Sequence, residues 1–126
     1  MNRKAFQALV DEALEAIPAS LRSRLENVAI VVEQEPEPEL LEEMGIEPPD
    51  TLFGLYQGTP LTERGSAYGN TLPDRIVIYQ KPIEEVSEDE DEIYTTIAET
   101  LIHEAGHYFG LSEEEIEEIE ERYWRG

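Results

Sequence analysis

The sequence predicts an α+β fold in one domain spanning residues 1–126: an N-terminal helix, a small mixed sheet of about three to four strands, a central helix and a short C-terminal helix. Two observations predict it. Apolar residues recur at helical spacing near both ends of the chain, and short apolar runs bounded by Pro and Gly lie between them. The 126 residues, 40% of them hydrophobic, suit a modest core rather than a disordered chain.

The first predicted element is an amphipathic helix that ends near Pro18. Because this region contains Asp11 and Glu12, it lacks the uninterrupted apolar segment of a signal peptide, and we expect a cytoplasmic protein. The apolar positions of the helix are Phe6, Leu9, Val10, Ala13, Leu14 and Ile17.

Three short runs predict strands. Val28–Val32 is rich in β-branched residues and is expected to be a buried strand, and the others are Leu52–Gln57 and Arg75–Tyr79. The segment 33–50 contains four prolines, which forbid a long helix or central strand, so we expect a surface excursion with one or two helical turns. Glycines in residues 62–74 predict a loop.

The longest helical pattern runs from about Glu90 to Phe109, after an acidic run at 84–92 that we interpret as a solvated loop. Gly110 is suited to end that helix in a left-handed conformation. Ser112 and Glu115 have the spacing of a capping box, which predicts the start of a last helix.

The composition excludes several classes of function. With 30 acidic and 9 basic residues the formal net charge is −21, which disfavours binding to nucleic acids and to anionic membranes. The absence of cysteine excludes disulfides, thiolate zinc sites, iron–sulfur clusters and cysteine nucleophiles. No apolar run approaches the roughly 20 residues of a membrane span.

The motif His103-Glu104-Ala105-Gly106-His107 lies on the predicted central helix. Residues four apart stand one turn above each other, so both imidazoles can bind one metal ion. Glu104 is offset from either histidine by about 80° to 100°, which lets it hold a metal-bound water instead of ligating. Neutral imidazoles suit Zn²⁺. We therefore predict one Zn²⁺ ion bound by His103 and His107, with Glu104 as the catalytic base.

The third metal ligand must be an oxygen ligand or water, because the chain has only two histidines and no cysteine. Gly110 allows a sharp turn, and Glu113 lies three residues beyond it, close enough to fold back to the metal. Glu113 is the expected ligand, with Glu114 and Glu117 as alternatives. The rival interpretation is that Glu113 only favours the dipole of the last helix.

The string from His103 to Glu113 is His-Glu-x-x-His-x-x-Gly-x-x-Glu, which resembles the extended metzincin signature with glutamate in place of His or Asp. Both methionines precede the motif, so the methionine turn of a full metzincin is missing. With the stretches Leu52–Leu61 and Leu72–Ile76, the motif is similar to the minimal zincin-like metallopeptidase family of small bacterial proteins. That resemblance covers most of the chain and implies a zincin core, a metal at the helix and a peptidase role. Members of the family commonly carry Asp at the position of Glu113.

The predicted reaction is peptide-bond hydrolysis, in which Glu104 accepts a proton from water and passes it to the leaving amine. The partner is a peptide or protein substrate, expected to lie along an exposed sheet edge with Arg75–Tyr79 as the candidate edge. The acidic surface predicts a preference for neutral or basic peptides. Tyr68 is the candidate for stabilising the oxyanion, against the simpler interpretation of a packing or surface residue. Tyr108 is assigned to the core.

Two other interpretations compete with hydrolysis. In the first, the protein is a non-catalytic metal-binding or protein-interaction domain, since the chain is short for a deep cleft. In the second, the motif occurs by chance within a structural helix and binds no metal, which metal analysis of the purified protein would test.

Overall fold

The computed structural model describes residues 1–58 and 74–125. Helices flank a small sheet, which confirms the α+β class. The helices are α1 (Arg3–Ala16), α2 (Ala19–Arg22), α3 (Pro38–Glu43), α4 (Gln80–Val86), α5 (Glu90–Tyr108) and α6 (Glu113–Arg125), with a 3-10 turn at Ser23–Leu25. The strands are β1 (Val28–Glu33), β2 (Gly54–Gln57) and β3 (Asp74–Tyr79).

The sheet is mixed and has the order β1-β3-β2. β1 pairs parallel with β3, with Ile30 opposite Ile76, and β2 pairs antiparallel with β3, with Tyr56 opposite Ile76. The expectation that Arg75–Tyr79 forms an exposed edge is therefore wrong: this strand is paired on both sides. The strand next to the histidine helix is β2.

The expectation that Val28–Val32 is a buried strand is also wrong. In the described sheet β1 is an outer strand, and only Val28 among its residues is buried. A β-branched run fits an edge strand as well as a central one, because both have the same backbone geometry. β3 is the buried strand, with Ile76, Val77 and Ile78 all fully inaccessible to solvent.

The core lies between the sheet, α1 and α5. The side chain of Asn2 caps α1 by accepting a 2.8 Å hydrogen bond from the amide of Ala5. The apolar face of α1 then packs on α5, as the helical spacing predicts. The central core residues are Phe6, Val10 and Ala13 of α1, Ile76 and Ile78 of β3, and Ile97 and Leu101 of α5.

The acidic run at 84–92 is not simply a loop. Helix α4 follows β3 directly and includes the first residues of the acidic run. Pro82 occupies the first turn of this helix, where the missing amide costs no hydrogen bond, and it is buried. Asp89 then caps α5 by accepting a hydrogen bond from the amide of Glu92 at 2.9 Å. The predicted start of the long helix near Glu90 is confirmed.

The predicted excursion between the first two strands is confirmed as a short surface helix, α3, with no buried residue. In the part of the chain that the structure describes, no helix has both the length and the apolarity needed to cross a membrane.

Candidate metal centre

The motif occupies the last turns of α5. The rings of His103 and His107 lie with their centroids 4.9 Å apart and their planes inclined at 72°. Both are half-buried, whereas Glu104 between them is buried. One ligand atom from each of these three residues falls within 4.8 Å of the others, close enough for one metal ion.

A tight turn after α5 brings the next helix back over the histidines. Gly110 adopts φ +76°, as predicted. Its amide donates to the carbonyl of His107, and the amide of Leu111 donates to that of Gly106, both at 3.0 Å. These two hydrogen bonds form a Schellman motif, which satisfies the last carbonyls of the helix.

The predicted capping box starts α6 immediately after this turn. The amide of Glu115 donates to the hydroxyl of Ser112, and the amide of Ser112 donates to the carboxylate of Glu115, each at 3.1 Å. The reciprocal pair fixes the first turn of α6. Glu113 is the first residue of that turn, so its position follows from the cap.

The carboxylate of Glu113 faces both histidines. Its Oε1 lies 3.2 Å from Nε2 of His107, and its Oε2 lies 3.4 Å from Nε2 of His103. The alternative ligands Glu114 and Glu117 are exposed on the same helix. Among the described residues, the carboxylates within 4 Å of an imidazole nitrogen are those of Glu113 and Glu120.

Glu120 also lies beside His103, and its position was not predicted from the sequence. Its Oε1 lies 3.3 Å from Nδ1 of His103, the ring nitrogen that faces away from Glu113. The spacing of the two residues could have indicated this position, because a residue seven positions after Glu113 lies on the same face of a helix.

Gly106, inside the motif, allows α6 to approach α5 closely. A Cβ atom at this position would stand 2.5 Å from Cγ1 and 2.8 Å from Cδ1 of Ile116, which is fully buried. Ile116 therefore packs directly against Gly106. Glu113 and Glu120 lie one turn before and one turn after Ile116 on the same helix face.

Glu104 is only 8% exposed. Its Oε1 accepts a 2.8 Å hydrogen bond from the backbone amide of Tyr56 in β2. Burial raises the pKa of Glu104 above that of an ordinary carboxyl group, although the Tyr56 amide and the two histidines oppose the rise. A carboxylate in this state accepts a proton more readily than an exposed one.

Two adjoining grooves lie along β2 and share Leu52, Gly54, His103 and Glu104. The first, here called the acidic groove, has a volume of about 390 Å³. The second, the apolar groove, has a volume of about 410 Å³. Other residues of the acidic groove include Phe53, Val86, Glu99 and Glu120, and those of the apolar groove include Met44, Leu55, Tyr56 and His107.

The tyrosines considered for the site differ in their surroundings. Tyr108 is buried in the core, as predicted, and its ring lies 5.7 Å from that of Tyr56 in an edge-to-face arrangement. The hydroxyl of Tyr56 lies 2.8 Å from Oδ1 of Asp74. Tyr68 lies outside the described residues, so its assignment to the oxyanion stays a prediction.

The donor atoms fit a zinc ion. Imidazole nitrogen and carboxylate oxygen are both zinc ligands, and in a tetrahedral site with bonds of about 2.0–2.1 Å neighbouring donors lie about 3.3 Å apart. The carboxylate of Glu113 approaches the two Nε2 atoms at about that spacing, through Oε1 at 3.2 Å from His107 and through Oε2 at 3.4 Å from His103. Two imidazole nitrogens and one carboxylate oxygen would fill three positions of such a site and leave a fourth for water or substrate.

Comparison with known proteins places this site in a family. The model of a family of zincin-like metallopeptidases matches residues 25–123. A solved structure of a conserved hypothetical protein from Thermus thermophilus is similar at 26% identity with a TM-score of 0.59, covering 86% of this chain and 94% of that one. No curated protein is significantly similar. Because the family model spans most of the chain, including the motif and most of α6, the chain belongs to the zincin-like metallopeptidase family.

Proposed function

We propose that this protein is a zinc-dependent metallopeptidase that hydrolyses peptide bonds. His103, His107 and Glu113 bind the zinc ion, and Glu104 is the general base. The observation that carries the proposal is the convergence of two imidazole Nε2 atoms and the Glu113 carboxylate beside a buried carboxyl group that is anchored to strand β2.

A zinc ion bound at these residues supplies a Lewis acid that polarises a carbonyl and lowers the pKa of water toward about 7. Glu104 accepts the proton of the attacking water on its carboxylate and then donates it to the nitrogen of the leaving amine. Its Oε1 is held by the Tyr56 amide, so the orientation of the carboxylate is set before substrate arrives.

The substrate is a peptide or protein segment that lies extended along β2. In an antiparallel strand, alternate residues direct their backbone groups to opposite sides. The Tyr56 amide points away from β3 and is bonded to Glu104. Gly54, two residues earlier, has the same orientation, so its backbone groups face the side on which we place the peptide. The acidic and apolar grooves on either side of the site then accommodate side chains flanking the scissile bond.

The test compares zinc-loaded wild type with Glu104→Gln on a mixed peptide library, with Glu118→Gln as a matched control. Glu118 is an exposed glutamate on α6. We expect cleavage by wild type and by the control, and cleavage slower by about 10²-fold or more by Glu104→Gln. If wild type binds one equivalent of zinc and cleaves no peptide, hydrolysis is rejected in favour of a non-catalytic metal-binding domain.

A further inference from the structure

We propose that Glu120 is a positioning residue that orients His103 for metal binding. Its carboxylate accepts a hydrogen bond from Nδ1–H of His103, so that the lone pair of this imidazole is on Nε2 and faces the metal position. The inference rests on the metal site of the proposed function, and it concerns the tautomer and orientation of one histidine.

The two ring nitrogens of His103 face two carboxylates of the same helix. Nε2 lies 3.4 Å from Glu113, and Nδ1 lies 3.3 Å from Glu120. The contact with Glu120 has the geometry of a hydrogen bond, whereas the contact with Glu113 meets only the distance of an ion pair. An ionised carboxylate can only accept a hydrogen bond, so the hydrogen bond with Glu120 requires the proton of a neutral imidazole to be on Nδ1. The other nitrogen is then the only one with a lone pair for a metal.

His107 offers an internal comparison. Within the described residues, the carboxylate within 4 Å of its ring nitrogens is that of Glu113, which lies at Nε2. Loss of Glu120 should therefore change the tautomer of His103 and leave the tautomer of His107 unchanged.

The side chain of Glu120 is more buried than that of Glu113. Its side chain is 26% exposed, compared with 63% for Glu113. Ile116 is buried against Gly106 one turn earlier on α6, which fixes the distance between this helix and His103. A partly buried carboxylate also interacts more strongly with its partner than an exposed one, because water screens it less.

The first test is zinc affinity, measured by competition with a chromophoric chelator at a fixed pH of about 7.5, above the ordinary pKa of histidine. We expect Glu120→Ala to weaken zinc binding by about 10-fold or more, as is typical when the partner of a metal-binding histidine is removed. Glu120→Gln keeps an acceptor oxygen and should fall between wild type and Glu120→Ala. The matched control, Glu118→Ala, should bind zinc like wild type.

The second test needs no metal. Long-range ¹H–¹⁵N correlation spectra of the zinc-free protein distinguish the two tautomers, and the chain has only two histidines to assign. In wild type we expect the Nδ1–H tautomer for His103. In Glu120→Ala it should shift toward Nε2–H, while the His107 signals stay in place.

The outcomes separate this inference from the proposed function. If wild type binds zinc but Glu120→Ala equals Glu118→Ala in affinity and in the His103 tautomer, the role of Glu120 is rejected and the metal site stands. If wild type binds no zinc, the proposed function is rejected, and with it the role of Glu120 in metal binding.

Discussion

The backbone amide of Tyr56 donates a 2.8 Å hydrogen bond to Oε1 of Glu104. This bond joins the strand beside the site to the proposed general base, and it satisfies a strand amide that β3 cannot reach. In the proposed function, a peptide aligned along β2 would lie next to the carboxylate that accepts the proton of water. The strand orients Glu104 through its backbone, which no side-chain pattern in the sequence could have indicated.

Substitution of Glu104 by Gln should lower peptide hydrolysis by about 10²-fold or more, the usual contribution of a positioned general base. The amide oxygen of Gln can still accept the hydrogen bond from Tyr56, so the fold and zinc binding should be retained. The measurements are kcat/KM on a cleaved peptide and the zinc stoichiometry of the same sample. Full activity with zinc bound would show that another group accepts the proton.

Substitution of Gly106 by Ala should separate α6 from α5. The new methyl group would stand 2.5 Å from Ile116, and overpacking of this kind costs about 1–3 kcal/mol, offset by up to about 1 kcal/mol from the better helix propensity of Ala. Because α6 carries Glu113 and Glu120, zinc affinity should fall together with the free energy of unfolding.

The control for Gly106→Ala is a double-mutant cycle with Ile116→Val, which removes the methyl group at Cδ1 from the contact. Denaturant unfolding of the four proteins should give a coupling free energy of about 0.5 kcal/mol or more, as expected for residues in direct contact. Additive effects would mean that Gly106 does not determine how closely α6 packs on α5.

The capping box at Ser112 makes the stability of α6 dependent on pH. Hydrogen bonds from the amide and hydroxyl of Ser112 lower the pKa of Glu115. A carboxyl group whose pKa is lower in the folded state stabilises the fold above its unfolded pKa of about 4.3, and this contribution disappears as the pH falls through the folded pKa. Glu115→Ala should therefore destabilise the protein at pH 7 more than at pH 3.

The measurement is the difference in the free energy of unfolding between wild type and Glu115→Ala at each pH. The many other acidic groups titrate in both proteins, so their contribution cancels in this difference. Glu114→Ala, an exposed neighbour on the same turn, serves as a control for helix propensity. A difference for Glu115→Ala that is equal at pH 7 and pH 3 would contradict the assigned role of its charge.

The last helices of the fold were predictable because their signals are local. The position of Gly110, the spacing of Ser112 and Glu115, and the four-residue separation of the histidines all act within one or two turns. The same signals made the position of Glu113 predictable, since the cap fixes the first residue of α6.

The arrangement of the sheet was not predictable in the same way. Arg75–Tyr79 and Val28–Val32 have similar apolar composition, yet the first is central and the second is an outer strand. Their order depends on pairings between residues distant in sequence, such as Ile30 with Ile76 and Tyr56 with Ile76. Glu120 was missed for a related reason, because its significance appears only when α6 is packed against His103.

Peptides with a basic residue beside the scissile bond should be cleaved faster than matched acidic peptides. Glu99 and Glu120 both line the acidic groove, and burial together with the charge of Glu120 raises the pKa of Glu99. A cationic side chain in the groove relieves this repulsion, and partly exposed ion pairs of about 0.2–1 kcal/mol correspond to preferences of up to about 5-fold. Relative kcat/KM values at low salt should show the preference, which should weaken at high salt. Glu99→Gln should reduce it, whereas Glu118→Gln should not. Faster cleavage of acidic peptides at low salt would contradict the placement of substrate in this groove.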